Sequence, residues 1–383
     1  MSFFSRLREI YIKINVQDKP VFTVERSKQQ KYLRKIGEPQ NDIERGYKQY
    51  QCQMFLSGKK QIIYYIAAPV LLLIKMMWCK RTKKIKEEKQ DLVCLLSGIN
   101  RNMVPKELIG EYKTVKCCHP SEQELLTRDD VRWYVKNVWC KYPISFFFHL
   151  KNIERLSQYS YVIKKYNPSA IAIHDEYSCT SSVMTAYCNW KKVKHINFMH
   201  GEKLWYIRDS FFHYNLCYVW DAHYVRLFQS LRAEPNQFKI AIPPQFSINE
   251  NDFDTKITYD YCYYLAGENN EEVENIFKLL SLLAKKGNKI KVRMHPRWTN
   301  RDFCVEMAKK YDVEIEPLER DIIVSILSTC NVISLYSTVI NQAHYMGRKI
   351  VIDDVTSVEK YNILKKLDYI GFRFAHSLMS SLL

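Results

Sequence analysis

Glycine is scarce in this 383-residue chain, with only ten, which leaves no room for a glycine-rich phosphate cradle of the P-loop or dinucleotide-binding type. Any phosphate must be held another way. No cysteine pair among the twelve has zinc-ligand spacing, which argues against a structural metal, and the adjacent Cys117 and Cys118 are badly placed to bridge. Met1 to Lys13 mixes aromatics with charges and holds no apolar secretory run, so the expected state is reduced thiols in a cytoplasmic protein. Long apolar runs are lacking too. Ile62 to Ile74 counts thirteen residues without a formal charge, interrupted by Pro69, where a spanning helix needs ~20.

What is present is positive charge: 58 Lys+Arg against 41 Asp+Glu, a formal +17. That excess points to an anionic partner, whether nucleic acid, acidic lipid or a phosphorylated substrate. With 47% hydrophobic and 26% charged residues, disordered and fibrous chains are excluded. The length predicts two domains, each with its own core.

Residues 1–60 are polar and weakly patterned and read as peripheral helices or a partly ordered extension. The Ile62 segment is followed by Trp78 and a basic cluster (Lys80, Arg81, Lys83, Lys84, Lys86), a pattern that suits either an anchor in an anionic membrane interface or a buried helix with a solvated basic end. We read 1–90 as this N-terminal extension, with 62–86 as its membrane-interface candidate.

From Asp91 short apolar runs alternate with helical stretches. Asp91 to Leu96, Ala170 to Ile173 and His195 to Met199 read as buried parallel strands, the last two joined by a helix over Thr180 to Trp190. The second half repeats the pattern. Strands are expected at Tyr261 to Ala266 (ending on Gly267), Lys289 to Met294, Val313 to Ile315, Asn331 to Leu335 and Arg348 to Ile352, with helices between them and Gly287 and Gly347 as helix stops. The fold class is therefore α/β: two Rossmann-like parallel-sheet domains, 91–242 and 243–383, joined near Pro243-Pro244. Ligands of such sheets gather at the carboxyl ends of strands, so the polar loops that follow them are the candidate sites.

Three such loops stand out. His295-Pro296-Arg297 follows a strand, and the proline stiffens the exit so that His295 is aimed in one direction; His and Arg there suit a phosphate or a nucleotide. Ser337-Thr338 opens a helix, where hydroxyls and free N–H groups either cap the helix or bind an anion. His200-Gly201-Glu202-Lys203 is a strand-exit turn in which glycine lets backbone approach a ligand. Trp205, Tyr206, Trp220 and Tyr224 follow, suited to stacking on sugars or to the core. No Asp-X-Asp triplet stands near a strand end to hold a metal.

A His-Pro after one strand and a Ser-Thr some forty residues on, in the second of two α/β domains, resembles the bacterial glycosyltransferases of GT-B type that use CMP-activated sugars. These include the sialyltransferases and polysialyltransferases of capsule and lipooligosaccharide synthesis. The resemblance covers roughly Asp91 to Asp353 by element order and a dozen residues by motif. It implies two domains facing across a cleft and metal-independent transfer without a cofactor. His295, Pro296, Arg297, Ser337 and Thr338 would hold the CMP-sugar donor. The family's catalytic base, from two carboxylates followed by glycine, corresponds to Asp175-Glu176, where this chain has Tyr177 instead of glycine. His200 or Glu202 could serve as the base instead, and Gly201 and Gly267 are further candidates. His200-Gly201 is also similar to an element of the CDP-glycerol glycerophosphotransferases. The implied acceptor is a saccharide or a lipid-linked glycan at the cytoplasmic membrane face. Nucleic acid is the partner of a different-class alternative, disfavoured because the charge is thinly spread and no recognisable module is present.

Overall fold

The computed structural model describes residues 25–58, 61–78, 85–97, 99, 101–119, 124–246, 255–296, 298–367 and 369–383. They form two compact units, one holding the described residues up to His200 together with 205–241, the other 201–204 and the described residues from Ile242 on. Each is built around one all-parallel six-stranded sheet.

Among the described residues of the first unit, helices α1 (Arg26–Lys35), α2 (Asp42–Ser57) and α3 (Gln61–Trp78) precede the sheet. There follow β1 (Leu92–Leu95), α4 (Lys106–Gly110), β2 (Val115–Cys118), α5 (Arg128–Asn137), α6 (Phe146–Tyr166), β3 (Ala170–Ile173), α7 (Ser181–Trp190), β4 (Lys194–Phe198), β5 (Leu216–Val219), α8 (Ala222–Ser230) and β6 (Phe238–Ile240). The strand order is β2-β1-β3-β4-β5-β6. β1 and β3 are buried along their whole length, as strands covered on both faces must be, and so they read as uninterrupted apolar runs. β2 is an edge strand, half-buried throughout and carrying Lys116, and it has no such run to betray it.

α2 is not a peripheral helix. It buries Ile43, Gln49, Tyr50, Cys52 and Met54, and its Asp42 meets His213 (Oδ1 to Nδ1 2.6 Å). Gly46 marks the close approach to α7: a Cβ there would lie 2.7 Å from Val183 Cγ2 and 2.8 Å from the Cys179 carbonyl. Alanine is the better helix former by about 1 kcal/mol, yet Gly46→Ala is expected to destabilise the protein by about 1–3 kcal/mol, as overpacked cores do. The denaturation midpoint checks this.

The second unit runs β7 (Tyr259–Tyr264), α9 (Asn270–Lys285), β8 (Ile290–Arg293), α10 (Arg301–Tyr311), β9 (Glu314–Ile315), α11 (Ile322–Leu327), β10 (Thr329–Ser334), α12 (Val339–Tyr345), β11 (Lys349–Ile352), α13 (Val358–Lys366) and β12 (His376–Leu378). Its order, β12-β11-β10-β7-β8-β9, is that of the doubly wound dinucleotide-binding fold read from the other edge. α9 opens on a reciprocal cap, Asn269 accepting from the Glu272 N–H and Glu272 from the Asn269 N–H, each at 2.9 Å. Gly287, at φ +89°, ends it. Val273, Ile276, Phe277, Leu280 and Leu283 of α9 pack on Tyr263, Val292, Ile333 and Val351 of the sheet. All eleven cysteines in the described residues are free thiols. No helix among those residues is long and apolar enough to cross a membrane.

Candidate functional site

In a doubly wound sheet the helices change face where the strand order reverses, and the loops leaving the two strands at that point diverge to open a crevice. In the first unit that point lies between β1 and β3. Across it the Ser97 N–H, just past β1, donates to His174 Nε2, just past β3, at 3.0 Å.

The structure gathers Asp175, Glu176 and His200 at this end of the sheet, but in unequal environments. Asp175 is buried and ion-paired with Arg155 of α6, and its N–H donates to Asn197 Oδ1 at 2.9 Å. Burial alone would raise its pKa; Arg155, aided by His174, Tyr177 and His200, outweighs burial and holds the carboxyl below its ordinary range. Glu176 is fully buried, its Oε2 accepting from Asn197 Nδ2 at 3.1 Å, and its Oε1 lies 3.9 Å from His200 Nδ1. His200 is the most exposed of the three, with 23% of its side chain open against 8% for Asp175, and its ring meets that of His174 edge-on at 4.4 Å. At 3.9 Å the Glu176–His200 approach is a long contact and not a hydrogen bond; the arrangement sets a partly exposed imidazole in front of a buried carboxylate, groups that can exchange a proton.

The loop bearing these groups is secured from α2. Gln49 Nε2 donates to the carbonyls of Glu176 and Arg208, each at 3.0 Å, and Gln53 Nε2 to that of Tyr177 at 2.9 Å. The four aromatics flagged by the sequence are core residues. Trp205, Tyr206, Trp220 and Tyr224 are all buried, and Trp220 Nε1 donates to the Met199 carbonyl at 3.1 Å.

In the second unit the order reverses between β7 and β10, and Ser334 Oγ bridges the two by donating to the Tyr264 carbonyl at 2.8 Å. His295 leaves the sheet at β8 and Ser337-Thr338 at β10, on either side of β7. The His295 turn is tight: its N–H donates to Thr299 Oγ1 at 2.8 Å, and its Nδ1 accepts from the Trp298 N–H at 3.3 Å. An accepting Nδ1 puts the neutral ring's proton on Nε2. Pro296 is exposed; Arg297 lies outside the described residues. Ser337 Oγ accepts from the Val339 N–H at 3.3 Å, and Tyr369 OH donates to the Ser337 carbonyl at 3.1 Å. Thr338 makes no side-chain cap to α12 and is half-buried.

Gly267, in the loop that follows β7, has φ +142°, a backbone conformation that favours glycine. Its N–H and that of Ala266 both donate to Glu268 Oε2, at 2.9 and 2.8 Å. A carboxylate thus sits where two backbone donors would otherwise meet an anion. Gly201 and Glu202 group with this unit, Glu202 Oε2 accepting from Asn341 Nδ2 of α12 at 3.1 Å. Among the described residues no group of three His, Cys, Asp or Glu side chains is arranged to hold a metal ion.

Sequence reasoning did not single out Arg155, Asn197, Gln49, Glu268 or Asn341. Their partners lie 20, 21, 127, 2 and 139 positions away. Only Glu268, beside its glycine, carried a local signal.

Neither a protein-family model nor any curated protein sequence matches this chain. Solved structures that resemble it do so at low identity. A UDP-N-acetylglucosamine 2-epimerase from Rickettsia bellii shares 10% identity over 68% of this chain and 78% of its own, with a TM-score of 0.44. The UDP-GlcNAc 2-epimerase of Neisseria meningitidis, bound to UDP-GlcNAc, shares 12% over 72% and 85%, at 0.46. A glycosyltransferase from Rickettsia africae shares 14% over 75% and 89%, at 0.40. The fold assignment rests on the strand order of the two sheets themselves.

Proposed function

We propose that this protein is a glycosyltransferase that moves a sugar from a cytidylate-activated donor to a hydroxyl of a saccharide or lipid-linked acceptor. The observation that carries the reading is the position of the polar loops. His200 and Glu176 stand beside the reversal point of one Rossmann-like sheet, and His295 and Ser337-Thr338 flank the first strand of the other. The His-Pro and Ser-Thr pair supports cytidine as the base.

Each group then has a role. The acceptor oxygen attacks the anomeric carbon while the bond from that carbon to the phosphate oxygen breaks, and the electron pair leaves with CMP. His200 Nε2 takes the hydroxyl proton, its Nδ1 facing Glu176. Asp175, tied to Arg155, fixes the loop and does not exchange protons. Within the second unit, His295 and the Thr338 hydroxyl are the groups suited to holding the donor's phosphate. The His200-Gly201 exit equally suits transfer of glycerol phosphate from CDP-glycerol, so both cytidine donors belong in the test.

Purified protein is to be incubated with CMP-sialic acid, CDP-glycerol and a UDP-sugar, and nucleotide release followed. Release confined to one cytidine donor is expected, and His295→Ala is expected to raise the donor KM by about 10–100-fold, as loss of a charge-assisted phosphate contact does. Release from the UDP-sugar alone would overturn the donor assignment. Salt-sensitive RNA binding without any turnover would overturn the enzymatic one.

A further inference from the structure

α3 turns two faces to different surroundings. Tyr64, Ala68 and Leu72 are buried against the first unit, and the Tyr64 ring stacks on Phe147 of α6 at 4.5 Å. Lys75 near the far end pairs with Glu124 at 2.5 Å. On the opposite side Ile62, Ile66, Val70, Leu73 and Met77 are between 60% and 74% exposed. Their spacing of four, four, three and four residues puts them in one stripe along the helix. Tyr65 is exposed beside it, as is Ile144 just ahead of α6. Isolated exposed apolar residues are ordinary on a soluble protein; a continuous stripe of five along an eighteen-residue helix is not.

The charge around the stripe selects its occupant. From Lys59 to Lys86 the sequence holds Lys59, Lys60, Lys75, Lys80, Arg81, Lys83, Lys84 and Lys86, and no Asp or Glu. Basic residues therefore precede and follow the apolar face. A second copy of the chain laid on this stripe would bring like charges together whether the helices ran parallel or antiparallel. An anionic bilayer surface would take the apolar face among its acyl chains and the lysines among its headgroups.

We propose that α3 is an interfacial anchor, lying flat on an anionic lipid surface with the Ile62–Met77 stripe inserted. With one face committed to α6, the helix cannot span. The proposal stands on exposure and charge and is independent of the donor chemistry.

The test uses the full chain and sedimentation with vesicles of phosphatidylcholine alone or with about 30% phosphatidylglycerol. Binding to the mixed vesicles, weakened by salt and by omission of the anionic lipid, is expected. The variant Ile66→Ser/Val70→Ser/Leu73→Ser changes only exposed positions, so its melting temperature should match the parent while its partition coefficient falls at least about tenfold. Absence of vesicle binding by the parent would overturn the proposal, as would unchanged binding by the triple variant. Concentration-dependent self-association, lost in the triple variant and unaccompanied by vesicle binding, would assign the stripe to a second copy instead.

Discussion

His200→Gln is expected to lower kcat by about 10²–10⁴-fold while leaving the donor KM and the melting temperature near the parent values. The expectation follows from position. His200 is partly exposed at the strand exit, so glutamine replaces it without opening a core cavity, and a glutamine amide cannot take a proton at neutral pH. Glu176→Gln tests the support behind it. That carboxylate is buried, so it acts through the imidazole and not on the substrate, and its loss should lower kcat less than loss of the ring. Added imidazole should restore part of the activity of His200→Gly, which a merely structural defect would not allow. Turnover by His200→Gln within about twofold of the parent would remove His200 from the chemistry.

The second large effect lies beneath the His295 loop. Glu316 is buried with Lys291 Nζ 2.6 Å from its Oε1, Arg293 Nη1 2.7 Å from its Oε2, Arg320 Nε at 3.4 Å and the Ser325 hydroxyl donating to it. Arg293 ends β8, two residues before His295, so this cluster fixes the exit from which His295 emerges. Glu316→Gln keeps the shape but leaves the fully buried Lys291 without a counter-charge. A loss of about 3–5 kcal/mol is expected in denaturant titration. Replacing both Lys291 and Glu316 with apolar residues of similar volume should cost clearly less, which separates an uncompensated charge from lost packing.

Glu316 also predicts an acid limb. Burial would raise its pKa, but hydrogen bonds from Lys291, Ser325 and Arg293 outweigh burial and hold it below the ordinary carboxylate value. The folded state therefore binds that proton less readily than the unfolded chain. The stabilisation is fully present above the unfolded pKa of about 4.3 and is lost as pH falls through the folded value. Glu316→Gln should flatten that part of the stability profile.

Much of the fold was legible because a strand covered on both faces must be apolar along its length. Ala170–Ile173 and Arg301–Tyr311 fall where their patterns put them. β2 and β12 escaped notice because edge strands need no such run. β5 lies among aromatics that were read for stacking or for the core and not as a strand, and β6 is a three-residue, largely exposed edge strand. The strand-exit histidines were visible for a similar local reason, since each directly follows a segment read as a strand.

The amino-acid order by itself determined which residue types leave the strands, because strand, loop and cap are decided by neighbours within a few positions. Only the tertiary structure decided which of Asp175, Glu176 and His200 is most open to solvent, since Arg155, Asn197 and Gln49 come from α6, β4 and α2. A side chain's readiness to exchange a proton depends on the charge and water around it in space, and sequence spacing carries neither.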